Sequence, residues 1–295
     1  MVDEIEVGTA SVNWGFDPLY TWVTTPRFDD LLDQMAAAGY AGTEIGDNFP
    51  RDLDAVRGQL DAHRLRAAAS FQAVDLRDRQ THELVVRDIL KVADRLAALG
   101  SNVLILSDKP SAARLEIAGR VASDGSDGLS GTQWRVLCDG LNRAGERLAN
   151  QAMRAVFHPH VGTFVETRSE IDRLCELTDP AFLGLCPDTG HLAYADVDPE
   201  AIFHDYAARI GYVHLKDVDR VKLEAVRSQG IDFVAAVRMG LFVELGTGIV
   251  PIERIVRDLR EARYAGWLIV EQDAPSDPNT AARRNREYLR REFGL

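Results

Sequence analysis

Runs of β-branched and other apolar residues, four to seven long, recur along this chain, each followed by a longer stretch in which apolar positions return every three or four residues. Eight runs carry the strand signature: Val7–Asn13, Gly42–Ile45, Ala67–Gln72, Asn102–Leu106, Arg154–Phe157, Phe182–Leu185, Tyr212–Leu215 and Trp267–Val270. Helical periodicity falls between them. Pro26–Ala38 has proline near its first turn and Gly39 placed to cap it. His82–Leu99 repeats apolar residues at Leu84, Val85, Ile89, Val92, Ala93, Leu96 and Leu99, with Gly100 just after. Gln133–Asn150, Glu166–Leu177, Pro199–Ala208 and Ile252–Ala262 behave alike, and the arginine-rich tail Pro278–Phe293 predicts a last helix outside the fold.

Alternation of strand and helix predicts parallel strands joined by right-handed crossovers. Eight such units in 295 residues predict an α/β fold, a closed (β/α)8 TIM barrel forming a single domain over residues 1–295 with a C-terminal helical extension. An open doubly wound sheet is the rival, but it carries a glycine-rich phosphate turn after strand one, and VGTASVNWGFDP has no GxGxxG. The Gly/Ser/Asp stretch Ser123–Gly131 reads as a loop over the active site or a flexible insertion.

Composition alters this picture little. Apolar residues make up 46% and charged residues 27%, and 34 basic against 46 acidic side chains leave a net charge of −12. That balance excludes a nucleic-acid or anionic-membrane partner as an expectation. Cys138, Cys175 and Cys186 show no CxxC spacing, so neither a disulfide framework nor a structural zinc site is expected, and Cys186 reads as a small buried hydrophobe. The opening MVDEIEVGTA is acidic and lacks an apolar h-region, and no run approaches the roughly 18 apolar residues of a membrane span. A cytoplasmic protein is the expectation.

Barrel enzymes carry their chemistry at the C-terminal ends of the strands, and there this sequence concentrates imidazoles and carboxylates. Strand two runs into Glu44. Strand five ends in His158-Pro159-His160, strand six in Pro187-Asp188-Thr189-Gly190-His191, strand seven holds His214 and continues Lys216-Asp217, and strand eight ends in Glu271-Gln272-Asp273. Nitrogen and oxygen donors without thiolate suit Mn2+, Co2+, Fe2+, Zn2+ or Mg2+. Asp188 also reads as a helix N-cap, His214 as a core histidine, and Glu44 as a ligand, a substrate contact or a floor ion pair. His158 and His160 are not distinguished: one would touch metal, the other substrate. His63, His82 and His204 fall on helical or loop segments and read as surface residues. Arg51, Arg77, Lys109 and Lys216 are the cations that a phosphorylated substrate would use.

These strand ends resemble the xylose-isomerase-like TIM barrel superfamily of sugar isomerases, epimerases and dehydratases. The matching stretches are AGYAGTEIG (38–46), FHPHVGTFVET (157–167), CPDTGHL (186–192), YVHLKDV (212–218), GTGIVP (246–251) and GWLIVEQD (266–273). GTEIGDNFPRD together with FHPHVGT looks most like the inosose (2-keto-myo-inositol) dehydratase branch. The resemblance implies Asp188, His214 and Glu271 as ligands of a divalent metal, Mn2+ or Co2+ foremost, with His158 as the fourth. It implies His191 as a substrate-binding or acid/base group, and Lys216 and Asp217 as residues that orient the strand-seven site. Epimerases of the superfamily usually carry a glutamate where His158 stands; Glu166 is a nearby carboxylate that would substitute for it.

The expected activity is therefore metal-dependent dehydration of a keto-cyclitol or keto-sugar through a metal-stabilised enediolate, with a sugar isomerase or epimerase as the alternative. Glu271, His158 and His191 are the candidate catalytic groups, and Glu44, His160, Lys216 and Asp217 the candidate substrate contacts. The partner is a small polyol or keto-sugar, and a homodimer or homotetramer is the family-level expectation. A metal-free barrel that only senses a polyol is the rival from another class.

Overall fold

The computed structural model describes residues 5–122 and 124–295. Residues 1–4 and the first residue of the Ser123–Gly131 stretch lie outside the described residues.

Parallel ladders join strand one (Glu6–Thr9) to strand two (Gly42–Thr43) on one side and to strand eight (Trp267–Val270) on the other. Strand three comes in two pieces, Arg66–Ala67 paired with strand two and Ser70–Val74 paired with strand four (Val103–Asp108). The backbone bonds Ala68 N–H to Thr43 O and Ile45 N–H to Ala69 O carry the ladder across the break. Strands five (Arg154–Phe157) and six (Leu183–Leu185) follow, and strand seven (Val213–Leu215) pairs with strand eight. Parallel bridges Leu185–Ile210 and Asp188–His214 close the ring. The result is the expected eight-stranded barrel.

Alternation along each strand splits the core in two. One set of side chains, including Leu104, Leu106, Phe157 and Leu268, faces the surrounding helices. A separate small cluster, Ala68, Val103, Ile105, Val156, Cys186, Tyr212 and Ile269, fills the lumen. Cys186 is fully buried there, and burial pushes its thiol up to about 11. Towards the N-terminal end Trp267 closes the lumen, with the Arg66 guanidinium 4.9 Å above its ring. This ring fits because strand two offers no side chain at Gly42: a Cβ there would stand 2.5 Å from the Trp267 ring and 2.6 Å from Arg66 O.

Strand one ends at Thr9, short of the predicted Asn13, and turns into a 3-10 helix over Ser11–Trp14. Asn13 is the cause. Its amide donates to Thr9 Oγ1 and Val270 O, and its Oδ1 accepts the Gln272 N–H, so a buried polar side chain takes the place of the ladder. The helix predicted from Glu166 spans Arg168–Leu177, because Thr167 and Glu170 form a capping box that fixes its start. His82 is not at the surface. It begins helix His82–Ala98, is buried, and its Nε2 lies 2.9 Å from Leu76 O, against Gly140 of helix Gly131–Ala149. Helix Leu53–Ala62, capped by Asp52, is one the apolar pattern did not single out.

Between strands seven and eight the chain inserts an antiparallel ribbon, Asp217–Val218 with Phe242–Val243, and helices Arg220–Gln229 and Phe233–Arg238. The last helix, Pro278–Phe293, packs outside against Phe28–Ala38, fastened by Tyr40 OH to Ala282 O and Arg286 Nε to Gly39 O. No helix among the described residues is long and apolar enough to cross a membrane.

Gly42→Ala should lower unfolding free energy by about 1–3 kcal/mol through overpacking. Gly58→Ala, in an open position on the Leu53–Ala62 helix, should raise it by about 0.5–1 kcal/mol. Urea unfolding of the two variants checks the contrast.

Candidate metal centre at the barrel mouth

The inward positions just beyond the lumen cluster carry the chemistry. In strands five to eight, Val156, Cys186, Tyr212 and Ile269 fill the lumen, and two residues further on, on the same side, come His158, Asp188, His214 and Glu271. Strand two adds Glu44, and strands seven and eight continue inward with Lys216 and Asp273. All seven are buried.

Their polar atoms converge. His158 Nε2 lies 3.2 Å from His214 Nδ1, and each of these nitrogens is 3.7 Å from Asp188 Oδ2. Glu271 Oε2 is 3.3 Å from His214 Nδ1. His158, Asp188 and His214, and separately Glu44, His214 and Glu271, offer donor atoms that all lie within 4.8 Å of one another.

Four observations show that this set fits a divalent cation. Asp188 divides its labour: Oδ1 accepts the Gly190 and His191 N–H groups at 2.8 and 2.9 Å, capping helix Thr189–Tyr194, while the buried Oδ2 accepts no hydrogen bond. The capping and ligand readings of Asp188 are thus compatible. His214 Nε2 lies 2.8 Å from Glu44 Oε1, which holds a proton on Nε2 and turns Nδ1 into the cluster, where a metal ion would take the place of its proton. The separation of the two imidazole nitrogens also suits neighbouring ligands of one ion, since metal–nitrogen bonds of about 2.1 Å at right angles put donors about 3 Å apart. Finally, four buried carboxylates, Glu44, Asp188, Glu271 and Asp273, face the Lys216 ammonium and the His214 imidazole, which its acidic neighbours hold charged against burial, so the set is still short of positive charge.

Lys216 Nζ stands among them, 3.3 Å from Asp188 Oδ2, 3.1 Å from Glu271 Oε2 and 2.8 Å from Asp273 Oδ1. Burial opposes its charge, but those carboxylates outweigh burial and hold the ammonium protonated. Burial likewise opposes the charge on Glu271, yet His214 and Lys216 bring its carboxyl down to about 2. The histidines on the other side are uncharged. Burial and the neighbouring His158 take His160 down to about 3, and burial with His160 keeps His191 well below its ordinary range. The two rings are 3.8 Å apart. His160 Nδ1 lies 2.7 Å from Val161 O, which can only accept, so the ring proton is on Nδ1 and Nε2 keeps its lone pair. Phe71, Phe233 and Phe242 wall this side.

Not every expected residue joins the cluster. Asp217 points to the outer side: Oδ1 accepts from Val218 and Val250 N–H and Oδ2 from Gly246 and Gly248 N–H, so both oxygens are spent on folding the GTGIVP loop. Its place as a substrate contact is therefore corrected to a loop fastener. Glu166 also stays away from the cluster, its two oxygens accepting from Gly119 and Gly162 N–H at 2.6 and 2.7 Å. Arg77 is committed to Asp75 and Asp108. Asp273 and Tyr20, which the sequence reading did not place in the site, belong to it: Tyr20 OH donates to Asp273 Oδ2 at 2.6 Å. Asp273 shares the inward side with Glu271, a signal present in the sequence; Tyr20 arrives on a loop and has none.

Fold and cluster together define a barrel of the kind that presents a metal-type donor set at its mouth. The chain belongs to the xylose isomerase-like TIM barrel family, whose model matches residues 32–292. It is similar along its whole length to inosose dehydratases: 35% identical over 293 residues to that of Geobacillus kaustophilus, covering 98% of this chain and 95% of the relative, and 31% identical over 296 residues to that of Clostridium beijerinckii, covering 99% of each. Among solved structures, a probable 3-DHS dehydratase involved in petrobactin synthesis in Bacillus anthracis superposes with a TM-score of 0.74 at 15% identity, covering 96% of this chain and 98% of that one. A 3-keto-D-glucoside 4-epimerase from E. coli superposes at 0.71 and 16%, covering 97% and 99%. These last two likenesses establish the fold.

Two outcomes follow from this geometry. Glu44→Ala frees the His214 ring and should weaken divalent-metal affinity about 10- to 100-fold, read by isothermal titration with Mn2+. Burial raises Glu166 from 4.5 to about 7. The folded state therefore holds a proton that the unfolded chain has released, and stability falls as pH rises through that window. Glu166→Gln should flatten this slope in urea titrations and leave metal affinity unchanged.

Proposed function

We propose that this chain is a divalent-metal-dependent lyase that removes water from a keto-cyclitol of the 2-keto-myo-inositol type. His158, Asp188, His214 and Glu271 would hold the ion, Mn2+ or Co2+ in the first place. When bound, the ion supplies a Lewis acid for the carbonyl oxygen of the substrate. The protein's own groups then divide the proton work. A neutral imidazole of the His160–His191 pair accepts the proton α to the carbonyl, because each ring is uncharged and keeps a lone pair. The Lys216 ammonium, kept charged by its carboxylates, donates a hydrogen bond to the departing β-hydroxyl, which leaves as water on receiving the proton that the imidazole has taken up. Glu271, held down to about 2, serves better as ligand and charge partner than as the base. Phe71, Phe233 and Phe242 give the carbocycle an apolar wall.

One observation carries dehydration over epimerisation. An epimerase that exchanges a proton on both faces of one carbon is served by like groups on opposite sides, whereas here the groups free for proton work are a pair of neutral imidazoles, His160 and His191, and the Lys216 ammonium. Unlike groups in unlike surroundings suit separate acid and base roles. The inosose dehydratases to which the chain is similar along its length support the same reading.

The test gives purified protein 2-keto-myo-inositol with Mn2+ or Co2+ in deuterated water. Loss of water with a new enone chromophore is the expected result. Deuterium incorporation without water loss would instead make the enzyme an epimerase or isomerase. His191→Gln should reduce kcat by about 10²–10⁴-fold with metal content unchanged, the range for removing a general acid or base.

A further inference from the structure

Two of the three carboxylates around the Lys216 ammonium, Asp188 and Glu271, are those that the reading above assigns to the metal ion. An ammonium and a divalent ion cannot both draw fully on the same oxygens. Lys216 is thus a competitor built into the site, and once the ion is present the two cations repel each other at short range in a buried setting. Something must draw the lysine aside.

Asp273 is placed to do so. It is the nearest of the three at 2.8 Å, and it follows Glu271 by two residues on the same inward side, beyond the ligand. Its second oxygen is fixed by the hydroxyl of Tyr20 at 2.6 Å. Tyr20 is itself held by both loops at the mouth. The chain turns back at Gly15, whose φ of 81° brings it against Val23. The Trp22 ring packs 5.4 Å from Tyr20, and Arg238, from the insert after strand seven, lies 5.5 Å over Trp22. On the same side the Phe242 ring faces the ammonium at 4.9 Å, a second favourable surface for the displaced charge.

We propose that Asp273, oriented by Tyr20, is a positioning residue that draws the Lys216 ammonium away from Asp188 and Glu271, freeing both carboxylates for the divalent ion and setting the ammonium against the substrate. The inference rests on the metal-dependent reading of the site. Asp273 does not touch the ion; it acts through Lys216.

A double-mutant cycle read by Mn2+ affinity tests it, using the full chain and equilibrium titration followed by electron paramagnetic resonance. D273N alone leaves Lys216 with only Asp188 and Glu271 and should weaken Mn2+ binding about tenfold more than the same substitution does in a K216M background. Y20F, which removes one oxygen, should show the same dependence on Lys216 to a smaller degree, and it keeps the test open if D273N fails to fold by its thermal melt. An equal loss in both backgrounds would mean that Asp273 contributes only its negative charge, and the inference would fall, as it would if neither substitution changed affinity. A wild-type protein that takes up no Mn2+ would overturn the metal-dependent reading itself; wild-type binding without coupling would overturn only the role of Asp273. Steady-state kinetics at saturating Mn2+ adds a second readout: a lower kcat in Y20F with little change in KM is the expected split.

Discussion

Four carboxylates buried in the mouth of one barrel, and the positive charge needed to keep them there, set the terms for the rest of the site. A buried carboxylate is costly unless it is paired or hydrogen-bonded, and Glu44, Asp188, Glu271 and Asp273 converge within a few side chains of each other. The protein answers with His214 against Glu44, backbone N–H groups and Lys216 against Asp188, Lys216 and His214 against Glu271, and Tyr20 against Asp273. Asp188 Oδ2 keeps no hydrogen bond of its own. A metal ion completes such a set, and the proposed chemistry follows from the field that results.

The scaffold makes this arrangement affordable. Strand alternation puts an apolar layer of Ile105, Val156, Cys186, Tyr212 and Ile269 beneath the polar one, so the cluster has a dry floor. Strands also hold side chains more rigidly than loops do, which suits ligands that must meet at one point. Segments outside the barrel strands contribute the Tyr20 contact and the insert carrying Phe233 and Phe242. The similarity to both a dehydratase and an epimerase at the level of fold fits that division, because the barrel fixes where chemistry happens and the side chains fix which chemistry.

Much of this was legible in the sequence. The eight strand runs alternating with helical stretches lead directly to the barrel, and imidazoles and carboxylates just past apolar runs mark the mouth. Where the reading missed, the cause is local. Strand one was drawn too long because Asn13 looks like a strand residue until its amide is seen to bond across to strand eight. Asp217 was grouped with Lys216, although neighbours in an extended chain face opposite ways; parity alone separates them. The Thr167–Glu170 capping box was present as T-x-x-E and places Glu166 before the helix. Tyr20 was beyond reach, since its contact with Asp273 spans 253 residues and is set by two loops.

The central claim is that one divalent ion sits among His158, Asp188, His214 and Glu271, and pulsed electron paramagnetic resonance of the Mn2+-loaded protein addresses it most directly. The account expects nitrogen hyperfine couplings from two imidazoles, one of which disappears in His158→Ala. Tightly bound Mn2+ without any imidazole coupling would contradict it.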